Sequence, residues 1–141
     1  MSQDFPSYRG QMEYRCLGCG KTHPGDSLLY TCPDCGGVFL LQDNNFAELK
    51  KHDGAYWRDV FDKRLMTRTT ALRGVFAYYE LLAPILEEED IVYLGEAHTP
   101  IVAASSALQD KVGLAFSYKN DGQNPSASFK DRGMAGAFSY L

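Results

Sequence analysis

Apolar positions in the middle of the chain recur at three- and four-residue steps, the spacing that gives a helix one apolar face. Phe46 and Leu49 open the pattern behind Asp43 or Asn44 as a capping residue, and Gly54 interrupts it. Tyr56, Trp57, Val60, Phe61 and Leu65 resume it, with Arg58–Asp62 and Asp59–Lys63 spaced to meet on the solvated face. Leu72, Val75, Phe76, Tyr79 and Leu82 form a third set, which Pro84 should end or bend. These side chains read as core, and Glu87-Glu88-Glu89-Asp90 as a solvated acidic turn. Both flanks follow other rules. Glycines and prolines punctuate Tyr14 to Leu41 at short intervals, leaving Tyr30 and Val38-Phe39-Leu40-Leu41 as short strands beside tight turns. After the acidic turn, Ile91-Val92-Tyr93-Leu94 predicts a strand, and Thr99-Pro100 predicts the start of a helix over Ile101 to Leu108. Val112 to Tyr118 predicts a second strand, Asn120 to Pro125 a loop, and a last helix begins near Ser128.

Three regions result: a turn-rich unit at 1–42, a helical connector at 43–90, and the opening of an α/β domain at 91–141. A chain of 141 residues with 45% hydrophobic and 23% charged positions has the material for a folded core. A net charge of −4 gives no electrostatic footprint for nucleic acid. No apolar run is long enough to span a membrane, and Met1-Ser2-Gln3-Asp4-Phe5 lacks the basic and apolar pattern of a secretory leader, so a cytoplasmic protein is expected.

All four cysteines fall in the first region, as Cys16-x2-Cys19 and Cys32-x2-Cys35 with twelve residues between the pairs. Two intervening residues let both sulfurs of a pair face one ion, and a glycine follows each pair to relieve crowding of the backbone around sulfur. Four thiolates suit a closed tetrahedral zinc site, which is structural and leaves no position for a substrate. Iron in the same ligand set and two disulfides are the other readings of this spacing. With the ligand set complete, His23 reads as a surface loop residue. Arg15 and Lys21 are nearly the only basic residues of the unit, so a structural knob is favoured over a nucleic-acid reader.

The other chemical candidate is Lys130, in Asn124-Pro125-Ser126-Ala127-Ser128-Phe129-Lys130-Asp131-Arg132-Gly133. The pattern is a loop feeding a helix with a lysine in its first turn. The helix dipole disfavours positive charge there and so favours the free amine that imine chemistry needs. A solvated surface lysine paired with a carboxylate fits the same residues. Ser128 to Gly133 nonetheless resembles the cofactor-lysine signature of the threonine synthases, a family of fold type II, tryptophan-synthase-β-like pyridoxal-phosphate enzymes. Leu94-Gly95-Glu96-Ala97-His98-Thr99-Pro100-Ile101 is similar to that family's Thr-Pro segment, and Phe116 to Asp121 to its next strand, with Lys119 and Asp121 in the charged positions. Val75 to Leu82 resembles the helix that precedes the catalytic domain in ribbon-bearing members. Ala97 and Ala127 stand where the family usually has glycine, Ser126 where it has threonine, and Asp121 where it has glutamate.

The resemblance implies an enzyme that converts O-phospho-L-homoserine and water into L-threonine and phosphate with pyridoxal 5′-phosphate. Lys130 would hold the cofactor and act as the base, and Phe129 would pack near the cofactor ring. Thr99 and Ser128 would be neighbours of substrate or cofactor, and His98 reads as polar surface. A homo-oligomer remains open. In the family the glycine-rich phosphate loop and the group facing the pyridine nitrogen come later than the lysine. The 141 residues are therefore expected to be an N-terminal fragment, inactive alone. A related enzyme acting on a phosphoserine-, serine- or threonine-like substrate, and a non-catalytic zinc-ribbon binding module, are the competing expectations.

Overall fold

A computed structural model of the chain describes residues 4–141. The leader reading rests partly on residues 1–3, which lie outside the described residues. β1 (Met12–Cys16) pairs antiparallel with both β2 (Thr22–Pro24) and β3 (Phe39–Asp43), giving the order β2-β1-β3. The strand expected over residues 38–41 is present as β3, displaced towards Asp43. Tyr30 forms no strand: it lies in a bend with its side chain 84% exposed. Asp43, expected as a helix cap, ties the sheet down instead. Its carboxylate accepts from the Tyr8 hydroxyl at 2.5 Å and from the amides of Gln11 and Asn45 at 2.8 and 2.9 Å. Asn45 takes the cap position of the single-turn helix α1 (Phe46–Leu49).

Helix α2 (Gly54–Arg64) begins at the glycine that interrupts the periodic pattern, with Asp53 accepting from the Tyr56 amide at 2.8 Å. Asp59 and Lys63 pair at 2.5 Å as their spacing predicts. The buried face differs from the expected one. Trp57, Val60 and Phe61 turn inwards, but the fourth position of that stripe is Arg64, while Leu65 is 56% exposed. Arg64 is buried because Glu80 is buried beside it. Two guanidinium–carboxylate bonds of 2.7 and 2.5 Å join them, and Arg64 also donates to the Ala77 carbonyl at 2.7 Å. A fork of two charge-assisted bonds is what makes such a pair tolerable away from water.

The third apolar set is not one helix. Residues Thr70–Leu72 and Gly74–Tyr78 are 3-10 turns, and only α3 (Tyr79–Leu82) is α-helical. The break falls at Gly74, whose φ is 62°; a Cβ there would lie 1.9 Å from a carboxylate oxygen of Glu96. Leu72, Phe76 and Tyr79 still reach the core, joined by Phe5, Ala71, Ala83, Leu86 and Ala135 of the last helix, α5 (Lys130–Ser139). Leu82 is half exposed. The acidic stretch makes a 3-10 turn at Glu88–Asp90, and Glu87 is 3.1 Å from Arg9.

Beyond it, residues 91–94 are extended without a partner strand among the described residues. The Val92 amide donates to Ser139 Oγ at 2.9 Å and the Leu94 amide to Glu96 Oε2 at 3.0 Å, so side chains replace the ladder. Residues 101–103, expected in a helix, form β4 (Ile101–Ala103), consistent with β-branched Ile101 and Val102. Helix α4 (Ser106–Val112) starts later because Ser105, not Pro100, is the cap, and Gly113 at φ 74° ends it. The strand expected over 112–118 is therefore confined to β5 (Ser117–Lys119). Strand, helix, strand, helix is the observed order, but β4 and β5 are antiparallel and do not form a parallel crossover unit. The fold is mixed α/β with two small sheets. No helix of the described residues is long and apolar enough to cross a membrane.

Candidate functional site

Two sets of residues carry chemistry. The first is the cysteine cluster, built by two copies of one turn. In each, the first cysteine's amide donates to the carbonyl five residues on: Cys16 to Lys21 at 2.8 Å and Cys32 to Gly37 at 2.9 Å. In each, the glycine four residues on donates back to that cysteine's carbonyl: Gly20 at 3.0 Å and Gly36 at 2.8 Å. Gly20 and Gly36 have φ of 76° and 71°, the left-handed conformation that favours glycine. The turns face each other so closely that a Cβ on Gly37 would stand 3.0 Å from Cys16 Sγ.

All four sulfurs lie within 4.8 Å of one another, with Cys16–Cys35 at 3.4 Å and Cys19–Cys32 at 3.7 Å. Sulfurs about 2.3 Å from a tetrahedral zinc stand about 3.8 Å apart, so the donor set fits one such ion. The cysteines are free thiols, which removes the disulfide reading from this structure. Amides of Cys19 and Gly18 point at Cys16 Sγ at 3.4 and 3.3 Å, and with the neighbouring thiols they draw its pKa down to about 6. Cys35 is pushed up to about 12. The Gly37 amide favours its thiolate, but the three neighbouring sulfurs and desolvation outweigh that pull. A fourth negative sulfur in this space requires a cation. His23, expected on a surface loop, lies instead on β2 with its Nε2 3.5 Å from Cys32 Sγ.

The second set lies in the Thr99 segment and the loop that leads into Lys130. Asn124 is buried, accepts from the Ala97 amide at 3.1 Å and donates to the Asp121 carbonyl at 2.9 Å. Asp121 accepts from Thr99 Oγ1 at 2.9 Å and from both terminal nitrogens of Arg132, at 2.8 and 2.6 Å. Those bonds, Arg132 first and Thr99 next, hold the Asp121 carboxyl down at about 2. Lys119 donates to the Thr99 carbonyl. Asp131 accepts from both the amide and the hydroxyl of Ser126. The loop before α5 is thus tied at Asn124, Ser126 and Arg132.

Lys130 begins α5, its amide 3.2 Å from Ser128 Oγ. Its side chain and that of Phe129 are exposed, and among the described residues no carboxylate pairs with its amine. A reachable, unengaged primary amine fits what an aldehyde cofactor requires of a lysine. Thr99 is buried with its hydroxyl committed to Asp121 and Arg132, whereas His98 is exposed.

Ala97 and Ala127, which stand at usual glycine positions, have φ of 67° and 57°. The left-handed backbone is kept without glycine. Arg132 and Glu96 carry more of this architecture than their sequence context suggests. Glu96 is fully buried and accepts from the amides of Val75 at 2.9 Å and Leu94 at 3.0 Å. A buried-strut glutamate in a Gly-Glu-x-x-Thr-Pro run differs from a solvent-facing one only through partners distant in sequence.

No protein-family model matches the chain. It is similar to the threonine synthase of Methanocaldococcus jannaschii, 38% identical over 125 residues, covering 87% of this chain and 27% of that protein. The Methanosarcina acetivorans threonine synthase is 31% identical over 122 residues, covering 85% of this chain and 26% of its own length. Threonine synthase 2, chloroplastic, of Arabidopsis thaliana is 31% identical over 117 residues, with coverages of 78% and 21%. The chain spans about a quarter of the length of the curated relatives it matches.

Proposed function

Because the chain is a homologue of the threonine synthases over most of its own length, we propose that it supplies the lysine-bearing part of a threonine-forming enzyme that uses pyridoxal phosphate. The whole enzyme would take O-phospho-L-homoserine and water to L-threonine and phosphate. The observation that carries this reading is Lys130: an unpaired amine at the first residue of α5, in the segment that resembles the family's cofactor-lysine signature.

Lys130 would hold the cofactor through its amine and, when free of it, move protons at the substrate's α and β carbons. Phe129 would lie beside the ring. The cofactor, when bound, supplies an electron sink for carbanion chemistry. Asn124, Asp121 and Arg132 would act by fixing the start of α5 against the Thr99 segment, because small displacements of a reacting amine are costly in rate. The cysteine cluster would hold a structural zinc ion, with no part in the chemistry.

The test is to expose the protein to pyridoxal phosphate, reduce with borohydride and map the label. Label confined to Lys130, and lost in Lys130→Ala, is expected. Label spread over Lys119 and the other lysines would sink the proposal. Phosphate release by the whole enzyme from O-phospho-L-homoserine, set against O-phosphoserine, then separates a threonine synthase from a related enzyme.

A further inference from the structure

The sulfurs of the cluster differ in what donates to them. Cys16 Sγ receives the backbone amides of Gly18 and Cys19, at 3.3 and 3.4 Å. No backbone amide reaches Cys32 Sγ among the described residues. Its donor is His23 Nε2, at 3.5 Å.

The ring is built into that place. His23 is the middle residue of β2, opposite Tyr14 of β1, and its side chain is only 15% exposed between two exposed neighbours. It meets the Phe39 ring edge-on at 5.5 Å, and Phe39 lies 5.0 Å from Tyr14. Asp34 Oδ2 stands 3.5 Å from the same Nε2, while Asp34 Oδ1 is held at 2.5 Å by Lys21. Sulfur and carboxylate oxygen are both acceptors, so together they call for a proton on that nitrogen.

We propose that His23 is a supporting residue of the metal centre, whose Nε2–H donates to the Cys32 thiolate. Four thiolates around a divalent ion leave a net charge of minus two. Each N–H directed at a sulfur spreads that charge and holds the ligand, and groups of this kind typically tune metal affinity by 10–100-fold. The inference rests on the reading that the cysteines hold a metal. It makes Cys32 the ligand whose hold on the ion depends on a side chain, and hence the one a point substitution can loosen.

The experiment is a chelator-competition titration of zinc and cobalt(II) into the full chain, His23→Gln and His23→Phe. Gln keeps an N–H donor, and Phe keeps the ring edge against Phe39. The expected result is one metal per chain and a four-sulfur cobalt spectrum throughout, with affinity near wild type for Gln and lowered about 10–100-fold for Phe. Unchanged affinity in His23→Phe would overturn the inference alone. So would a spectrum with a nitrogen ligand or a second bound metal, either of which would make His23 a ligand itself. No metal in the wild type would overturn the metal reading and this inference with it. In case His23→Phe does not fold, the cadmium-113 form of the wild type gives an independent measurement. A scalar coupling between cadmium and the His23 Nε2–H proton is expected, and its absence counts against the bond.

Discussion

The cysteine cluster and the Lys130 segment organise polar groups in opposite ways. In the cluster the reactive atoms are the structure: four sulfurs converge, backbone amides point at them, and little apolar surface is buried beside them. Leu17, Leu28, Val38 and Leu40 are all more than half exposed. Around Lys130 the neighbouring polar side chains are hydrogen-bonded and the amine is exposed. Asn124, Asp121, Arg132 and Asp131 are hydrogen-bonded, while the exposed Lys130 amine has no carboxylate partner among the described residues. A site that holds a structural ion must engage all its ligands, while a site that does covalent chemistry must leave its nucleophile available.

The largest expected effect breaks the comparison on the cluster side. Stripping metal with a chelator should melt β1–β3 and leave the core around Leu72, Phe76 and Tyr79 standing. Structural zinc contributes on the order of 10 kcal/mol to folds of this kind. Amide exchange residue by residue reads the outcome, and uniform protection before and after would show that the sheet stands without metal. Next, Arg64→Ala should cost about 3–5 kcal/mol in urea unfolding, because it strands the buried Glu80 carboxylate. Replacing both residues by apolar ones of similar volume should recover most of that loss.

The clamp at Asp121 sharpens the other side. Its folded pKa of about 2 lies below the ordinary carboxylate value. The stabilisation is therefore fully present above about pH 4, the unfolded value, and is lost as pH falls through the folded value. Urea midpoints between pH 5 and 2 should converge for wild type and Asp121→Asn, and a constant gap would remove Asp121 from the account. The smallest effect is a gain: Ala127→Gly should raise stability by about 0.5–1 kcal/mol, because alanine at φ 57° carries a left-handed penalty that glycine avoids. Equal or lower stability would mean that the loop is not strained there.

What was legible in the sequence follows from how local each interaction is. The cluster was readable because two residues between cysteines and a glycine after each pair are complete instructions for a metal turn. Asp53 capping α2 and Asp59 meeting Lys63 are equally local. The break in the 70–82 region was not readable, because the group that fills the space at Gly74 comes from Glu96, 22 residues away. The burial of Arg64 was not readable either, since its partner, Glu80, lies 16 positions on. Thr99-Pro100 resembles a helix start, but Ile101 and Val102 meet Lys119 and Tyr118 across a ladder that no short window displays. At the candidate site, the position of Lys130 was legible from its motif, while the struts that hold it depend on distant pairs such as Thr99 with Arg132.

Glu96 also bears on how this chain can be divided. Its carboxylate is shared between the amide of Val75 in the connector and that of Leu94 in the following loop, and it fills the space that a side chain on residue 74 would need. A cut between residues 90 and 91 would leave Val75 without its acceptor on one piece and half of the Glu96 carboxylate without a donor on the other. Domain swaps, split reporters and truncations made at that junction would therefore test a wounded seam rather than two independent parts. A cut near residue 43 would also cross the Asp43–Asn45 bond, the Gly10–Pro84 backbone bond, the Arg9–Glu87 pair and the packing of Phe5 on Tyr79.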